Sequence, residues 1–237
     1  MKLLASSENS IRAWPGGFGY AKVGANYGPS LLAQKDAVSK GYNQILWLFG
    51  PQAAVTEAGA SNFFCVIRSK TTGKPELITA PLDDKIILDG VTRRSVLELA
   101  RSRLASEIDV VEKQYTMVDL LTAHAEGRFV EAFAAGTAFF VAPVIEISYK
   151  GKSISPAKSG ETGTYTNTIK QWLIDIMYGI KPHEWGVVVE ETGFESEPAS
   201  DAEIQKMIQK IKELKQSKAW AAALEKVKSE ELREGKI

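Results

Sequence analysis

Residues 12–28 read RAWPGGFGYAKVGANYG. Gly16, Gly17, Gly19, Gly24 and Gly28 make this a loop, and Lys22 stands within it among small and apolar neighbours. A buried ammonium must be paired or neutral. Desolvation makes a lysine amine easier to deprotonate, which suits Schiff-base chemistry. Simple exposure on the loop is the other reading. Downstream, Ser30 to Lys40 is rich in helix formers and Gly41 stops it. Gln44–Phe49 (QILWLF) predicts a buried strand. Asn62–Arg68 and Glu76–Ala80 predict two more, joined by a hairpin loop over Thr71–Pro75. Thr92–Leu104, Met117–His124 and Thr164–Tyr178 carry helical apolar stripes. Phe139–Ile147 and Gly151–Ser155 predict a strand pair about Lys150-Gly151. Strands and helices mix through about 190 residues, so the fold class is α/β rather than a bundle or sandwich.

The chain has 237 residues, 29 basic and 29 acidic, for a formal charge of zero. A hydrophobic share of 44 % is ordinary for a globular protein and excludes a disordered chain. The balanced charge argues against a nucleic-acid partner, which calls for a basic footprint. Cys65 is the lone cysteine, so no internal disulfide forms, and with two histidines a structural zinc site is not expected. No stretch reaches the roughly 20 apolar residues of a membrane helix. The three-residue run Leu3–Ala5 is too short for a signal peptide. A cytoplasmic protein is expected, with a mitochondrial location left open.

Beyond Lys22, three segments could carry chemistry. Glu57, just ahead of the apolar run Phe63–Val66, could face inward, or could be a turn or cap acid. Asp89-Gly90-Val91-Thr92-Arg93-Arg94 opens a helix, where backbone N–H groups and the helix dipole favour a phosphate. Ala134–Ala138 lets backbone approach a ligand closely at Gly136 and offers the Thr137 hydroxyl.

In this order these segments strongly resemble the branched-chain amino acid aminotransferases of the class IV, fold-type IV group, the fungal members most. The resemblance runs from Arg12–Gly17 and Lys22–Tyr27 through Leu46–Gly50, Thr56-Glu57, Ala80–Asp83, Gly90–Arg93, Glu131–Phe133 and Gly136–Ala138 to Asp175–Gly179 and Trp185. It implies an α/β pseudobarrel large domain with pyridoxal 5′-phosphate as cofactor. It implies that Lys22 forms the internal aldimine and moves the proton. Tyr27 would contact the phenolic oxygen and Glu57 the pyridine nitrogen. Val91, Thr92 and Thr137 would bind the phosphate, and Thr137 and Ala138 would lie beside the substrate carboxylate. The implied reaction exchanges an amino group between leucine, isoleucine or valine and 2-oxoglutarate.

Departures from the family pattern are equally specific. The family has a smaller domain before this region, which supplies a phosphate-binding arginine and part of an aromatic wall. Met1–Ser6 resembles the segment just after it, so a bare large domain with a pocket open on one side is expected. Ala60 replaces a usual threonine, Ala134-Ala135 a usual Gly-Ser, and Asp84-Lys85 a turn glycine. Phe139 and Ala142 stand where animal members carry a redox cysteine pair. The expected organisation is a cofactor domain over 1–190, a linker over 191–200 and a helical extension over 201–237. In the extension, Ile204, Ile208, Ile211 and Leu214 recur at helical spacing, for packing on the domain or for docking another chain. Two readings follow: a transaminase, impaired alone and acting as a homodimer or with a complementing N-terminal domain, or a non-catalytic scaffold.

Overall fold

Period-two alternation in Asn62–Arg68 divides the core into two layers. Phe63, Cys65 and Ile67 enter one buried cluster, while Phe64 and Val66 enter the other. The strand is buried on both faces, which is why the run looks continuously apolar. The computed structural model describes residues 1–156, 163–187, 189, 200, 202, 205, 206, 209, 210 and 213. Met1–Gly186 is one compact unit and Val187–Ile237 a second. The linker over 191–200 and the helices expected over Asp201–Glu234 lie outside the described residues, apart from those single positions.

In chain order the elements are β1 (Lys2–Ala5), α1 (Ser30–Ser39), β2 (Gln44–Phe49), β3 (Ala54–Ala58), β4 (Ser61–Arg68) and β5 (Pro75–Thr79). There follow α2 (Val91–Arg103), β6 (Asp109–Glu112), α3 (Met117–Ala125) and β7 (Phe129–Gly136). The last are β8 (Phe140–Pro143), β9 (Glu146–Tyr149), β10 (Lys152–Ile154) and α4 (Thr164–Met177). One mixed sheet runs β10-β9-β1-β2-β3-β4-β5-β6, and β7 joins β4 to β8. β1 is parallel to both β2 and β9, and β5 is parallel to β6. Along one edge, β4 pairs with β3 at its start and with β5 beyond; β7 takes the other edge.

Helices cover both faces. From α2 and α4, Val96, Leu97, Leu99, Ile169 and Leu173 pack on the layer of Phe64, which stacks on Phe133 with ring centroids 4.9 Å apart. From α3, Met117 and Leu120 pack on the layer of Phe63. Thr116 and Asp119 form a reciprocal capping box at the start of α3. The start of α4 is satisfied from β7: Glu131 accepts from the Tyr165 N–H at 3.1 Å and from the Thr166 N–H and hydroxyl at 2.8 Å each.

The structure corrects one expectation and adds to two readings. Phe139–Ile147 is two strands, not one: β8 ends at Pro143, which lacks a ladder donor, and β9 leaves β7 to pair with β1 and β10. Leu3–Ala5, read from the sequence only as too short for a signal peptide, belongs to β1 in the interior of the sheet. Glu57 faces inward, as one of its two readings had it, from within a strand, β3, and is not a turn or cap acid.

Lys85, in the Asp84-Lys85 pair, sits at φ +53°. A side chain in that left-handed region costs about 1–2 kcal/mol, against about 0.5–1 kcal/mol for the extra freedom of glycine. Lys85→Gly is therefore expected to stabilise the chain by up to about 1 kcal/mol in urea unfolding.

Candidate active site

The site grows from the start of β4. Glu57 of β3 faces Asn62 in the ladder, and Asn62 in turn faces Ala135 of β7. Asn62 Nδ2 donates to Glu57 Oε1 at 3.3 Å and to the Leu88 carbonyl at 2.8 Å. The Leu88 N–H donates to the same Oε1 at 3.1 Å. One asparagine thus ties the acid to the loop that leads into α2. The packing has no slack there: a Cβ on Gly90 would lie 2.3 Å from Asn62 Oδ1, and one on Gly136 would lie 2.7 Å from Ser61 Oγ. Both positions need glycine for close approach. The start of α2 and the β7–β8 turn, which carries Thr137 and Ala138, therefore both converge on Ser61-Asn62.

Glu57 is 2 % exposed. Burial pushes its carboxyl up to about 7; the Arg12 guanidinium, the Leu88 N–H, and the Lys22 and Arg93 charges pull the other way. Arg12 Nη1 lies 2.8 Å from Glu57 Oε2 and also donates to the Ile86 carbonyl at 3.3 Å. The contact to Oε2 is an ion pair without hydrogen-bond alignment, so that buried oxygen accepts no hydrogen bond. Arg12 belongs to the same loop as Lys22. Ala13 buries beside Ile86 and Ile87, and Gly19 has no room for a Cβ against Ala13 and the Ile86 carbonyl.

Lys22 itself is exposed on its loop, the second of the two readings its neighbours allowed. Its Nζ donates to the Tyr27 hydroxyl at 3.3 Å, and Tyr27 is half-buried. Asn26 fixes the loop by donating to the Phe18 and Ala21 carbonyls at 2.8 Å each. Val91 is exposed and Thr92 half-buried in the first turn of α2. That helix begins at Gly90 with no side-chain cap, so its first N–H groups are free to meet an anion. Thr137, Ala138 and Phe139 are exposed in their turn, and Phe140 beside them has φ +57°. Among the described residues, no hydrogen bond links Thr137 or Ala138 to Lys22 or Glu57.

A cavity of about 960 Å³ lies elsewhere, against α1 and β2, with Leu32, Ile45, Trp47, Phe49 and Tyr149 in its walls. None of the candidate residues borders it, so volume does not mark the site; the orphaned acid does. Sequence reasoning missed Arg12 and Asn62 as partners of Glu57. The signal for Arg12 was present, since it is a second cation in the same glycine-rich stretch. Asn62, at the head of an apolar run, gave none.

Comparison with known proteins fits this arrangement. The amino-transferase class IV family model matches residues 4–147. The chain belongs to this family. The mitochondrial branched-chain-amino-acid aminotransferase of Schizosaccharomyces pombe is 49 % identical over 188 residues, which are 78 % of this chain and 44 % of that protein. The cytosolic enzyme of Saccharomyces cerevisiae is 46 % identical over 190 residues, 78 % of this chain and 50 % of that one. The crystal structure of the branched-chain amino acid aminotransferase from Thermobaculum terrenum in its PLP form superposes with a TM-score of 0.59 at 27 % identity, covering 76 % of this chain and 52 % of that one. The chain thus spans about half the length of the curated relatives it matches. Those relatives include both cytosolic and mitochondrial forms.

Class IV aminotransferases depend on pyridoxal phosphate. The residues present fit that group: a buried carboxylate oxygen without a hydrogen bond, a lysine amine beside a tyrosine hydroxyl, and an uncapped helix start. Among the described residues no cluster of potential metal ligands occurs, and no helix is long and apolar enough to cross a membrane.

Proposed function

We propose that this chain carries the cofactor-binding half of a branched-chain aminotransferase, exchanging an amino group between leucine, isoleucine or valine and 2-oxoglutarate. When bound, pyridoxal phosphate supplies an electron sink for charge developed at the substrate α-carbon. Glu57 keeps the ring nitrogen protonated through its bare Oε2. Lys22 is the covalent anchor and holds and moves the proton at its Nζ. Tyr27 serves the phenolic oxygen. The backbone of Val91 and Thr92 and the hydroxyl of Thr137 take the phosphate. The backbone at Thr137 and Ala138 holds the substrate carboxylate. Residues 1–190 form the cofactor domain, 191–200 a linker and 201–237 a helical extension.

The observation that carries this reading is the buried Glu57 Oε2 with no hydrogen-bond donor, in the electrostatic reach of Lys22. Incubation of the purified chain with pyridoxal phosphate is expected to give a visible absorbance, fixed by borohydride reduction as a mass adduct on Lys22. Lys22→Ala should abolish both signals. A wild-type chain without an adduct, or an adduct that survives Lys22→Ala, overturns the reading.

A second reading rests on the surface of the same loop. Trp14 is 56 % exposed and Phe18 64 % exposed, close in sequence to Lys22. Such aromatic exposure favours completion of the site by a second copy or a complementing polypeptide, or retention of the domain as a scaffold. Transamination by the isolated chain excludes the scaffold. Activity gained only on mixing with an N-terminal domain identifies complementation.

A further inference from the structure

Glu57 is held from three sides. Asn62 of β4 and the Leu88 N–H saturate Oε1, while Oε2 meets only Arg12. The charged groups that act on it are Arg12 and Lys22 from the glycine-rich loop and Arg93 from α2. Of these, Arg12 is the one in contact, with side chains 6 % and 3 % exposed across the pair. The guanidinium also reaches the Ile86 carbonyl, and Ala13 and Gly19 pack against the same segment. A single residue therefore touches both the acid and the anchor point of the lysine loop. In a site this dry, an unpaired carboxylate takes up a proton, and a protonated Glu57 cannot serve a protonated ring nitrogen.

We propose that Arg12 is a positioning residue: its guanidinium favours the ionised form of Glu57 against burial while leaving Oε2 free of hydrogen bonds, and it clamps the Lys22 loop against Ile86. The proposal rests on the cofactor reading for its purpose, but the hold of Arg12 on Glu57 can be tested without cofactor. Arg12 does not act on substrate. It sets the charge and the place of the residue that acts on the cofactor ring.

The test compares the full-length wild type with Arg12→Gln, Arg12→Lys, Glu57→Gln and the double variant Arg12→Gln/Glu57→Gln. Urea unfolding of the cofactor-free chains across pH gives the window over which stability falls as the pH rises because of the Glu57 carboxyl, read as the change in the difference from the matching Glu57→Gln chain. In wild type that window closes near about 7. Arg12→Gln should extend it upward by about 1–3 pH units, and Arg12→Lys, which keeps the charge, should restore most of the shift. Affinity for pyridoxal phosphate near neutral pH should fall about tenfold or more in Arg12→Gln.

If Arg12→Gln does not fold, the double variant, which removes both buried charges, should fold. A double variant that also fails, or an Arg12→Gln window that does not move, reduces Arg12 to a packing role and overturns the proposal. A shifted window in a chain that never forms the Lys22 adduct supports the hold on Glu57 and overturns the cofactor reading instead.

Discussion

Between about pH 4 and pH 8 the wild-type chain should lose about 3 kcal/mol of stability that Glu57→Gln retains. The sign follows from the direction of the shift. An ordinary glutamate titrates at 4.5, whereas burial lifts Glu57 to about 7. Between those two values the unfolded chain has released the proton and the folded chain still binds it. Stability therefore falls as pH rises through this window and levels off above the folded value. Below about 4.5 the wild-type side chain is neutral, as glutamine always is, and the two curves should run parallel there. Urea unfolding at closely spaced pH values checks this, with Glu57→Gln as the reference that cancels every other titrating group. A wild-type curve parallel to the variant over the whole range would remove the buried, poised carboxyl from the argument. The same substitution should weaken pyridoxal phosphate binding, since glutamine offers no charge to a protonated ring nitrogen. Because Glu57→Gln also leaves the buried Arg12 without its ion-pair partner, the pH dependence of the difference, and not its absolute size, is the readout.

Much of this was legible in the sequence, for identifiable reasons. The run Asn62–Arg68 declared β4 because a strand buried on both faces needs apolar residues without interruption. Asp89–Arg94 declared the start of α2, and the structure adds that Gly90 leaves it uncapped. What escaped was non-local. Lys2–Ala5 carries no strand signal of its own; it is a strand because β2 and β9 lie parallel on either side. Phe129–Gly136 is rich in alanine and ends in glycine, poor strand formers, yet β7 is the partner of β4 over six ladder pairs. Tertiary pairing overrides propensity there. Lys22 was found by its neighbours, and of the two readings they left, burial and exposure on the loop, the structure has exposure. The Arg12–Glu57 contact joins residues 45 positions apart; local pattern marked each end of it but not the pairing.

Glu131 is the residue most easily mistaken for part of the site, because it belongs to a motif that tracks the family. Its bonds say otherwise: the carboxylate is spent on Tyr165 and Thr166 at the start of α4. Glu131→Ala leaves three donors without that acceptor, two of them from buried Thr166, and opens the contact of α4 with β7. With roughly 1–3 kcal/mol for each unsatisfied buried donor, and relief where water reaches Tyr165, a loss of about 3 kcal/mol in urea unfolding is expected. Faster hydrogen exchange at the Thr166 amide should accompany it. The Lys22 adduct should survive in the folded fraction, which separates this role from a catalytic one. Gly163 supplies the control. A Cβ there would fall 1.9 Å from Glu131 Cδ, so Gly163→Ala must expel the carboxylate from its donors. It should cost nearly as much as Glu131→Ala by itself, and little more once Glu131 is already alanine. Additive losses in that double-mutant cycle would mean that the carboxylate does not hold α4, and the helix start would need another explanation.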